Sequence, residues 1–276
     1  MLSSSVNTNV GAMIALQNLN ATNADLATTQ NRINTGKKVG SAKDNGAIWA
    51  IAQGQRADIG ALGAVKQSLD RGVAAVDVAM AAGETVSDLL LQMKEKALAA
   101  KDASLSSASR KALNEDFKAL RDQIASVTNN ATFNGVNLLR TGAVNFTALA
   151  NADGSNVLTV AAEVLSLGST NVTVATTQSI DTLTKATASL TAVNASIDNV
   201  SAALARMGTN SKKLSTHLTF VGKLTDALES GVGNLVDADL ARESAKLQAL
   251  QTKQQLGVQA LSIANQTPQL VLSLFR

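Results

Sequence analysis

The chain has 276 residues, 45% of them apolar and 16% charged, with a formal net charge of +3. This composition favours a folded protein with a sizeable core over a disordered one. No block of lysine and arginine is interleaved with aromatic residues, which argues against a nucleic-acid partner. The chain has no cysteine and one histidine, His217, which excludes disulfides, cysteine metal sites and the two-histidine zinc-protease motif. We therefore predict no enzyme and no catalytic, cofactor or metal site.

The kinds of apolar residue predict long helices. Aromatic residues make up only 2% of the chain, and Pro268 is its single proline. Alanine, leucine and glutamine are good helix formers, and the strongest helix breaker is almost missing. No run of eighteen apolar residues occurs, and residues 1–10 are polar and uncharged. We therefore expect neither membrane insertion nor a cleaved signal peptide.

A first helix is predicted near the N-terminus, because a spacing of three and four residues places one stripe along it. The stripe consists of Ala12, Leu16, Leu19, Asn23, Leu26, Gln30 and Ile33. Polar seam residues such as Asn23 and Gln30 weaken a coiled coil but fix its register, so we expect a specific partner helix. Basic residues followed by Gly40 predict where this helix ends.

Two further stripes predict a helix over residues 57–101 and a shorter helix that folds back on it. The first stripe is Leu62, Val65, Leu69, Gly72, Val76, Ala79, Gly83, Val86, Leu90, Met93 and Ala97. Each of its glycines costs roughly 1 kcal/mol relative to alanine but allows another helix to approach closely. A serine-rich break at residues 104–109 precedes the second stripe. That stripe is Leu113, Phe117, Leu120, Ile124 and Val127.

The middle of the chain, residues 128–177, changes to turn residues and short alternating runs. Asn134-Gly135 and Asp153-Gly154 are turn signals, and the runs at 144–149 and 157–161 predict a hairpin across the second of them. A fourth stripe then predicts the longest helix, over residues 179–230, which we expect to stop at Gly231 and Gly233. That stripe is Leu183, Ala186, Leu190, Val193, Ile197, Val200, Leu204, Met207, Ser211, Leu214, Leu218, Val221, Thr225 and Leu228.

The last element, residues 235–275, has apolar residues on more than one line. Leu240, Leu247 and Leu261 share one line, and a second line contains Leu256, Ile263 and Leu270. A helix that is apolar around its circumference is typical of a buried helix. Pro268 has no N–H and clashes with the preceding turn, so we expect the helix to break near residue 267.

Together these patterns predict a mainly α fold, an elongated rod of long antiparallel coiled-coil helices with a small β-hairpin region mid-chain. At 1.5 Å per residue the predicted long helices span about 65 Å and about 75 Å. We expect residues 1–42 and 235–276 to form a terminal domain of paired helices, and residues 43–234 to form a rod domain with a β element at about 130–178. The residues predicted to pack the terminal helices are Leu16, Leu19, Leu26, Ile33, Leu247, Leu250, Leu261 and Phe275.

Four segments carry a resemblance to a known family. They are RINTGKKVGSAKDNGA at residues 32–47, NGVNLL at 134–139, DADLA at 237–241 and SIANQTPQLVLSL at 262–274. In this order they resemble segments of bacterial flagellin, and the wording at 41–49 and 247–266 is similar to that of alphaproteobacterial flagellins such as those of the caulobacters. The likeness spans essentially the whole chain.

The resemblance implies a structural subunit of the flagellar filament, a self-assembling helical homopolymer for motility that can include other flagellins. It implies that the paired chain ends form the inner tube of that filament. It also implies export through the flagellar type III apparatus without a cleaved signal peptide, and a cytoplasmic chaperone at the C-terminal segment. The mature protein would then be secreted and extracellular, in the bacterial flagellum.

One family feature is altered in this chain. Flagellins that the innate immune receptor recognises carry a Gln-Arg-Ile-Arg-Glu-Leu motif, and the best alignment places residues 91–96 there. Gln92 replaces an arginine and Lys96 replaces a leucine. Loss of a guanidinium fork and a charge on an apolar contact should weaken recognition. We therefore expect poor receptor activation.

Three alternatives remain open at the level of the sequence. A minor flagellar junction or hook-associated protein would have similar ends, and only a flagellin should grow long filaments from seeds. A chemoreceptor-like signalling coiled coil would have a helical hairpin tip mid-chain, where this sequence has turns and strands. A membrane-active helix is disfavoured, because residues 235–275 lack a strongly basic face.

Overall fold

The structure is a computed structural model that describes residues 8–273, with the backbone alone from residue 267 onward. It contains α1 (Val10–Thr35), α2 (Gly46–Ala100), α3 (Ser107–Asn130), β1 (Phe146–Leu149), β2 (Val157–Val160), α4 (Leu183–Val236) and α5 (Leu240–Ser273). The predicted mainly α class with a small mid-chain hairpin is confirmed. Strands in the middle of the chain also leave no helical hairpin tip of the chemoreceptor kind in the described residues.

The chain divides into two compact units. One comprises residues 1–57 with 227–276, and the other comprises residues 58–226. The predicted boundaries at 42 and 234 fall inside the first of these units. Helices α2 and α4 each cross the boundaries of these units without a break, so no linker marks them. The predicted division at 42 and 234 stays a prediction.

The core of the unit 58–226 is built on the α2 stripe, and every residue of that stripe is buried as predicted. Two of its glycines lie where another side chain comes very close. A Cβ built on Gly72 would lie 2.7 Å from a ring carbon of Phe146, and one on Gly83 would lie 2.9 Å from Leu204. Real Cβ atoms do not come this close to other atoms, so both glycines permit close approach. At Gly83 the neighbour is helix α4, as predicted, whereas at Gly72 the nearest neighbour is the ring of Phe146 in the hairpin.

Helix α3 folds back on α2, as predicted. Ser106 caps its N-terminus by accepting a hydrogen bond from the Ser109 N–H at 3.0 Å. Across the connection Arg110 Nε donates to the Ala100 carbonyl at 2.9 Å, and Lys96 Nζ lies 2.6 Å from Asp116 Oδ2. Within the α3 stripe, Phe117 and Ile124 are fully buried.

The predicted hairpin is confirmed, with Phe146 opposite Val160 and Leu149 opposite Val157. Gly154 lies in its turn with φ 70°, a conformation that favours glycine. The end of β1 is held by side chains of two helices. The Leu149 N–H donates to Ser68 Oγ on α2 at 3.1 Å, and His217 Nε2 of α4 lies 2.7 Å from the Ala150 carbonyl. His217 therefore has a structural role.

The NGVNLL segment forms a turn that closes the end of α3. Asn134 and Gly135 both have positive φ, and Phe133 and Val136 pair across them, as expected for this turn signal. The buried amide of Asn137 donates to the Thr128 carbonyl at 2.9 Å and accepts from the Leu139 N–H at 2.8 Å. The segment thus satisfies carbonyls that α3 leaves open at its C-terminus.

Three predicted helix ends are wrong. Helix α1 ends at Thr35 and not near Gly40, because Gly36 takes up the left-handed conformation that ends it. Helix α2 begins at Gly46 instead of residue 57, because Asn45 Oδ1 accepts the Ile48 N–H at 3.1 Å and caps it. Helix α4 continues through Gly231 and Gly233 to Val236. Each glycine costs only about 1 kcal/mol in a helix, and burial of Val232 and Val236 in this last stretch outweighs that cost.

The predicted break near residue 267 is also wrong, because α5 runs through Pro268 to Ser273. Proline removes one helix hydrogen bond, the one to the carbonyl four residues earlier. Here that carbonyl belongs to Ala264, and it accepts a hydrogen bond from Asn9 instead. A helix can continue past a proline when the freed carbonyl finds another donor.

Candidate functional site: the paired terminal helices

Helices α1 and α5 lie against each other in antiparallel order. Three polar contacts are spaced along the pair: Asn9 Nδ2 to the Ala264 carbonyl at 2.7 Å, Gln254 Nε2 to Asn23 Oδ1 at 2.7 Å, and Arg32 Nη1 to Glu243 Oε1 at 3.2 Å. The pairing of the two chain ends predicted from the sequence is therefore present within one chain.

The face of α1 that packs on α5 follows a strict three–four spacing, but three of its seven positions differ from the predicted stripe. It consists of Ala12, Ala15, Leu19, Thr22, Leu26, Thr29 and Ile33. Thr22 and Thr29 are buried, whereas Leu16, Asn23 and Gln30 lie on the exposed side of this face. Small residues at the alternate positions let the helices approach, and a larger neighbour such as Leu16 is then turned outward.

Helix α5 presents a matching face to α1. It consists of Glu243, Leu247, Leu250, Gln254, Gly257, Leu261 and Ala264. The three predicted leucines, Leu247, Leu250 and Leu261, all belong to it. At Gly257 the two helices come close, since a Cβ built there would lie 3.3 Å from Leu19 Cδ1. The predicted residue Phe275 lies outside the described residues.

A second set of large apolar side chains on these helices remains exposed, and we call it the open apolar surface. It comprises Val10, Met13, Ile14 and Leu16 of α1, and Leu240, Leu256, Val258 and Ile263 of α5. Exposed fractions reach 62% at Met13 and 63% at Leu256. A groove of about 420 Å³ along the pair is lined by residues that include Ile14, Leu19 and Leu256. Exposed apolar patches of this kind mark interaction sites.

Backbone hydrogen bonds tie together the two segments that lead out of α1 and into α5. Gly36 ends α1 with φ 69°, and its carbonyl accepts the Ala238 N–H at 2.9 Å. In return the Val236 carbonyl accepts the N–H groups of Lys38 and Val39 at 2.8 and 3.2 Å. Two of the four segments that resemble flagellin, residues 32–47 and 237–241, therefore meet here.

Acidic side chains shape the turns on both sides of this junction. Asp44 Oδ2 accepts from the N–H groups of Gly40 and Ser41 at 3.0 and 2.8 Å. The Ser41 N–H and hydroxyl, followed by Gly40 and the charge of Arg32, lower the pKa of the exposed Asp44 carboxyl below its ordinary value. Asp239 Oδ1 caps α5 by accepting the Ala241 N–H at 3.0 Å.

The segment aligned with the receptor motif lies on α2, with Met93 fully buried and Gln92 exposed. The Lys96 ammonium that replaces the motif leucine is engaged by Asp116. The expectation of weak receptor recognition stays a prediction.

Within residues 8–273, no helix combines the length and hydropathy that a membrane crossing requires. In the same part of the chain, no group of three or more histidine and acidic side chains is placed to hold a metal ion.

Comparison with known proteins gives consistent matches over the whole chain. The bacterial flagellin N-terminal helical region matches residues 6–144, and the bacterial flagellin C-terminal helical region matches residues 190–275. The flagellins FljM and FljK of Caulobacter vibrioides are 58% and 57% identical to the chain, over 100% of its length and of theirs. A flagellin of Brucella melitensis is 36% identical over 99% of both chains.

Two solved structures share the fold. A crystal structure of Bacillus cereus flagellin matches with a TM-score of 0.50 at 17% identity, covering 56% of this chain and 88% of its own. A Vibrio parahaemolyticus protein described as flagellar hook-associated matches with a TM-score of 0.56 at 15% identity, covering 70% of this chain and 100% of its own. At these identities the likeness concerns the fold alone.

Proposed function

This chain belongs to the bacterial flagellin family, and we propose that it joins neighbouring copies in the filament through the open apolar surface of α1 and α5. It is a caulobacter-type alphaproteobacterial flagellin, and its function is that of a structural subunit of the extracellular flagellar filament, assembling with itself and with other flagellins. The family is structural rather than enzymatic. What remains to be assigned is which residues make the contacts between subunits.

The observation that supports the proposal is the division of apolar residues between two sides of the helix pair. The inner side, with Leu19, Leu26, Leu247 and Leu261, is used within the chain. The outer side is the open apolar surface, whose large apolar side chains, Leu16 among them, are 46% to 63% exposed in the single chain. Because about half of each side chain is already buried, covering the rest would contribute roughly 1 kcal/mol per residue.

A polymer requires this outer surface to meet a different surface of the next copy. Identical contacts between unlike patches, repeated without closing into a ring, generate a helical filament. We assign the first three predicted leucines and Ile33 of α1 to two roles: Leu19, Leu26 and Ile33 hold α5, and Leu16 meets a neighbouring subunit. Helix α5 carries exposed apolar residues beside its packed face, so we propose that it lies deepest in the filament.

The same surface must be protected before assembly. We propose that a cytoplasmic chaperone covers the α5 segment and that export proceeds through the flagellar type III apparatus without cleavage of a signal peptide. The support is family membership together with the exposure of Leu256 and Val258, because apolar patches of this kind cause aggregation when they are left uncovered. We likewise propose that residues 1–42 and 235–276 form the inner part of the filament and residues 43–234 the part around it.

Replacement of an exposed leucine tests the proposal. Leu256→Gln removes an apolar side chain that is 63% exposed in the single chain, so the fold should be retained. We expect filament growth from seeds to require at least about fivefold more protein, because burying the exposed part of Leu256 contributes about 1 kcal/mol or more. The measurement is the critical concentration, with electron microscopy of the product.

Leu183→Gln is the matched control, since Leu183 is 44% exposed and lies at the start of α4, outside the terminal helices. Its critical concentration should change less than that of Leu256→Gln. If Leu256→Gln polymerises like the unmodified chain, the open apolar surface is not the subunit contact.

A further inference from the structure

The proline in α5 leaves one backbone acceptor without its helical donor. In a regular helix the N–H of residue 268 would bond to the carbonyl of residue 264. Pro268 has no N–H, yet α5 continues to Ser273. The Ala264 carbonyl lies in a partly buried position facing α1, where an unmet acceptor is costly.

The side chain of Asn9 supplies the missing donor. Asn9 Nδ2 donates to the Ala264 carbonyl at 2.7 Å. The oxygen of the same amide is the N-terminal cap of α1 and accepts the Ala12 N–H at 3.0 Å. Serine, threonine and aspartate also cap helices, but aspartate has no donor to offer and the hydroxyls are shorter. An asparagine amide can perform both tasks at once.

We infer that Asn9 and Pro268 form a matched pair that sets the axial position of α1 against α5. Pro268 frees one carbonyl on α5, that of Ala264, and the Asn9 side chain at the start of α1 reaches it. This contact forms at only one axial position of the two helices. Sliding α5 by one turn would leave the Ala264 carbonyl without a donor and the Asn9 amide without its acceptor. Asn9 is thus a positioning residue for the terminal helices.

This inference stands on contacts within one chain and does not depend on which surface makes the filament. It also adds to the Asn23–Gln254 contact, which is exposed and lies farther along the pair. Polar contacts of that kind bias the register of paired helices. The Asn9–Pro268 pair differs because it links a side-chain choice in one helix to a backbone defect in the other.

The experiment uses the full chain with α1 and α5 held together by an engineered disulfide. Leu19→Cys with Gly257→Cys suits this purpose, because a Cβ built on Gly257 lies 3.9 Å from Leu19 Cβ, within the range for disulfides. The chain has no other cysteine. Peptide-resolved amide exchange then reports how often the pair opens beyond the cross-link, at residues 13–18 and 258–264.

A double-mutant cycle in this cross-linked background measures whether the effect of Asn9 depends on Pro268. Asn9→Ser keeps a capping oxygen but loses the amide donor. We expect it to lower amide protection of those two stretches about tenfold when Pro268 is present. In the Pro268→Ala background the helix supplies its own donor to Ala264, so Asn9→Ser should lower protection less than twofold.

Asn45→Ser is the matched control, because Asn45 caps α2 through its Oδ1 and faces no proline-freed carbonyl. It should leave protection at residues 13–18 and 258–264 the same in both Pro268 backgrounds. Equal losses for Asn9→Ser with and without Pro268 would overturn the inference, since Asn9 would then act as a cap alone. The inference would also be overturned if Asn9→Ser lowered amide protection in neither Pro268 background, or if the cross-linked parent showed no protection at residues 13–18 and 258–264.

Discussion

Gly72 lies in the middle of α2, where a helix would ordinarily favour alanine by about 1 kcal/mol. The ring of Phe146 fills the space that a side chain would need, so the hairpin packs directly on the helix backbone. Gly208 of α4 is a helix glycine of the opposite kind, because a Cβ built there meets nothing within 4 Å. The two positions separate packing from helix propensity.

We predict opposite effects of alanine at these two glycines. Gly72→Ala should destabilise the chain by about 1 kcal/mol net, since overpacking costs about 1–3 kcal/mol and the propensity gain offsets about 1 kcal/mol. Gly208→Ala should be neutral or stabilising by up to about 1 kcal/mol. Urea unfolding followed by circular dichroism measures both, and similar shifts of the midpoint at the two positions would contradict the packing argument.

Single residues of α1 also show which parts of the helix pairing could be predicted from the sequence and which could not. The period of α1 was predictable, because Ala12, Leu19, Leu26 and Ile33 face α5. The alternate positions of this face were not predictable, since Ala15 and Leu16 both fit a three–four spacing. The larger leucine was chosen for the predicted stripe because it would bury more apolar surface. The choice depends on how closely α5 approaches, and that is set by residues such as Gly257, more than 200 positions away along the chain.

At the scale of whole elements, long stripes were predictable and helix ends were less so. The stripe of α2 is buried throughout, and the stripe of α3 is buried or half-buried, because their periodicity is repeated over many turns. The continuation of α4 to Val236 goes with burial of Val232 and Val236 and with the hydrogen bonds that the Val236 carbonyl accepts from residues 38 and 39. The passage of α5 through Pro268 goes with the hydrogen bond from Asn9 to the Ala264 carbonyl. Local breaker residues such as Gly231 and Gly233 could not reveal those contacts.

The end of α3 offers a test of such a contact. Asn137→Asp keeps the acceptor for the Leu139 N–H but replaces the amide donor with a carboxylate facing the carbonyls of Thr128 and Asn129. We expect a loss of about 3 kcal/mol, because buried polar groups are left unmet and one of them is charged. The measurement is the free energy of unfolding in urea at neutral pH.

Asn151→Asp is the control for that change. Asn151 lies in the hairpin turn, and its amide bonds to Ser155 at an exposed position. Solvent can replace this contact, so the control should change stability by less than about 0.5 kcal/mol. Comparable losses at the two asparagines would show that Asn137 does not close α3.

For the whole molecule, the two compact units make separate contributions. The unit 58–226 has its own buried residues, including Leu69, Met93 and Phe117. The terminal unit instead combines a packed face with the open apolar surface. The family could be recognised from the sequence because the segments at 32–47 and 237–241 have distinctive residues. The unit boundaries could not be predicted, because α2 and α4 cross them without a break.

Removal of residues 240–276 tests whether the terminal helices are needed for assembly and whether residues 58–226 fold without α5. The truncated chain should fail to polymerise, because α1 loses its partner and half of the open apolar surface is removed. Amide protection within residues 58–226 should persist, since their core does not use α5. Long filaments from the truncated chain after seeding would show that the terminal helices are dispensable for assembly.

The backbone hydrogen bonds that join residues 36–39 to 236–238 bring together the two points at which the chain leaves α1 and enters α5. The whole sequence between these helices therefore begins and ends at the same place. Extra sequence inserted in the exposed Asp153-Gly154 turn would lengthen this intervening sequence and leave the hydrogen-bonded ends unchanged. The hydrogen-bonded pairing of the chain ends would thus be independent of the length of the sequence between them.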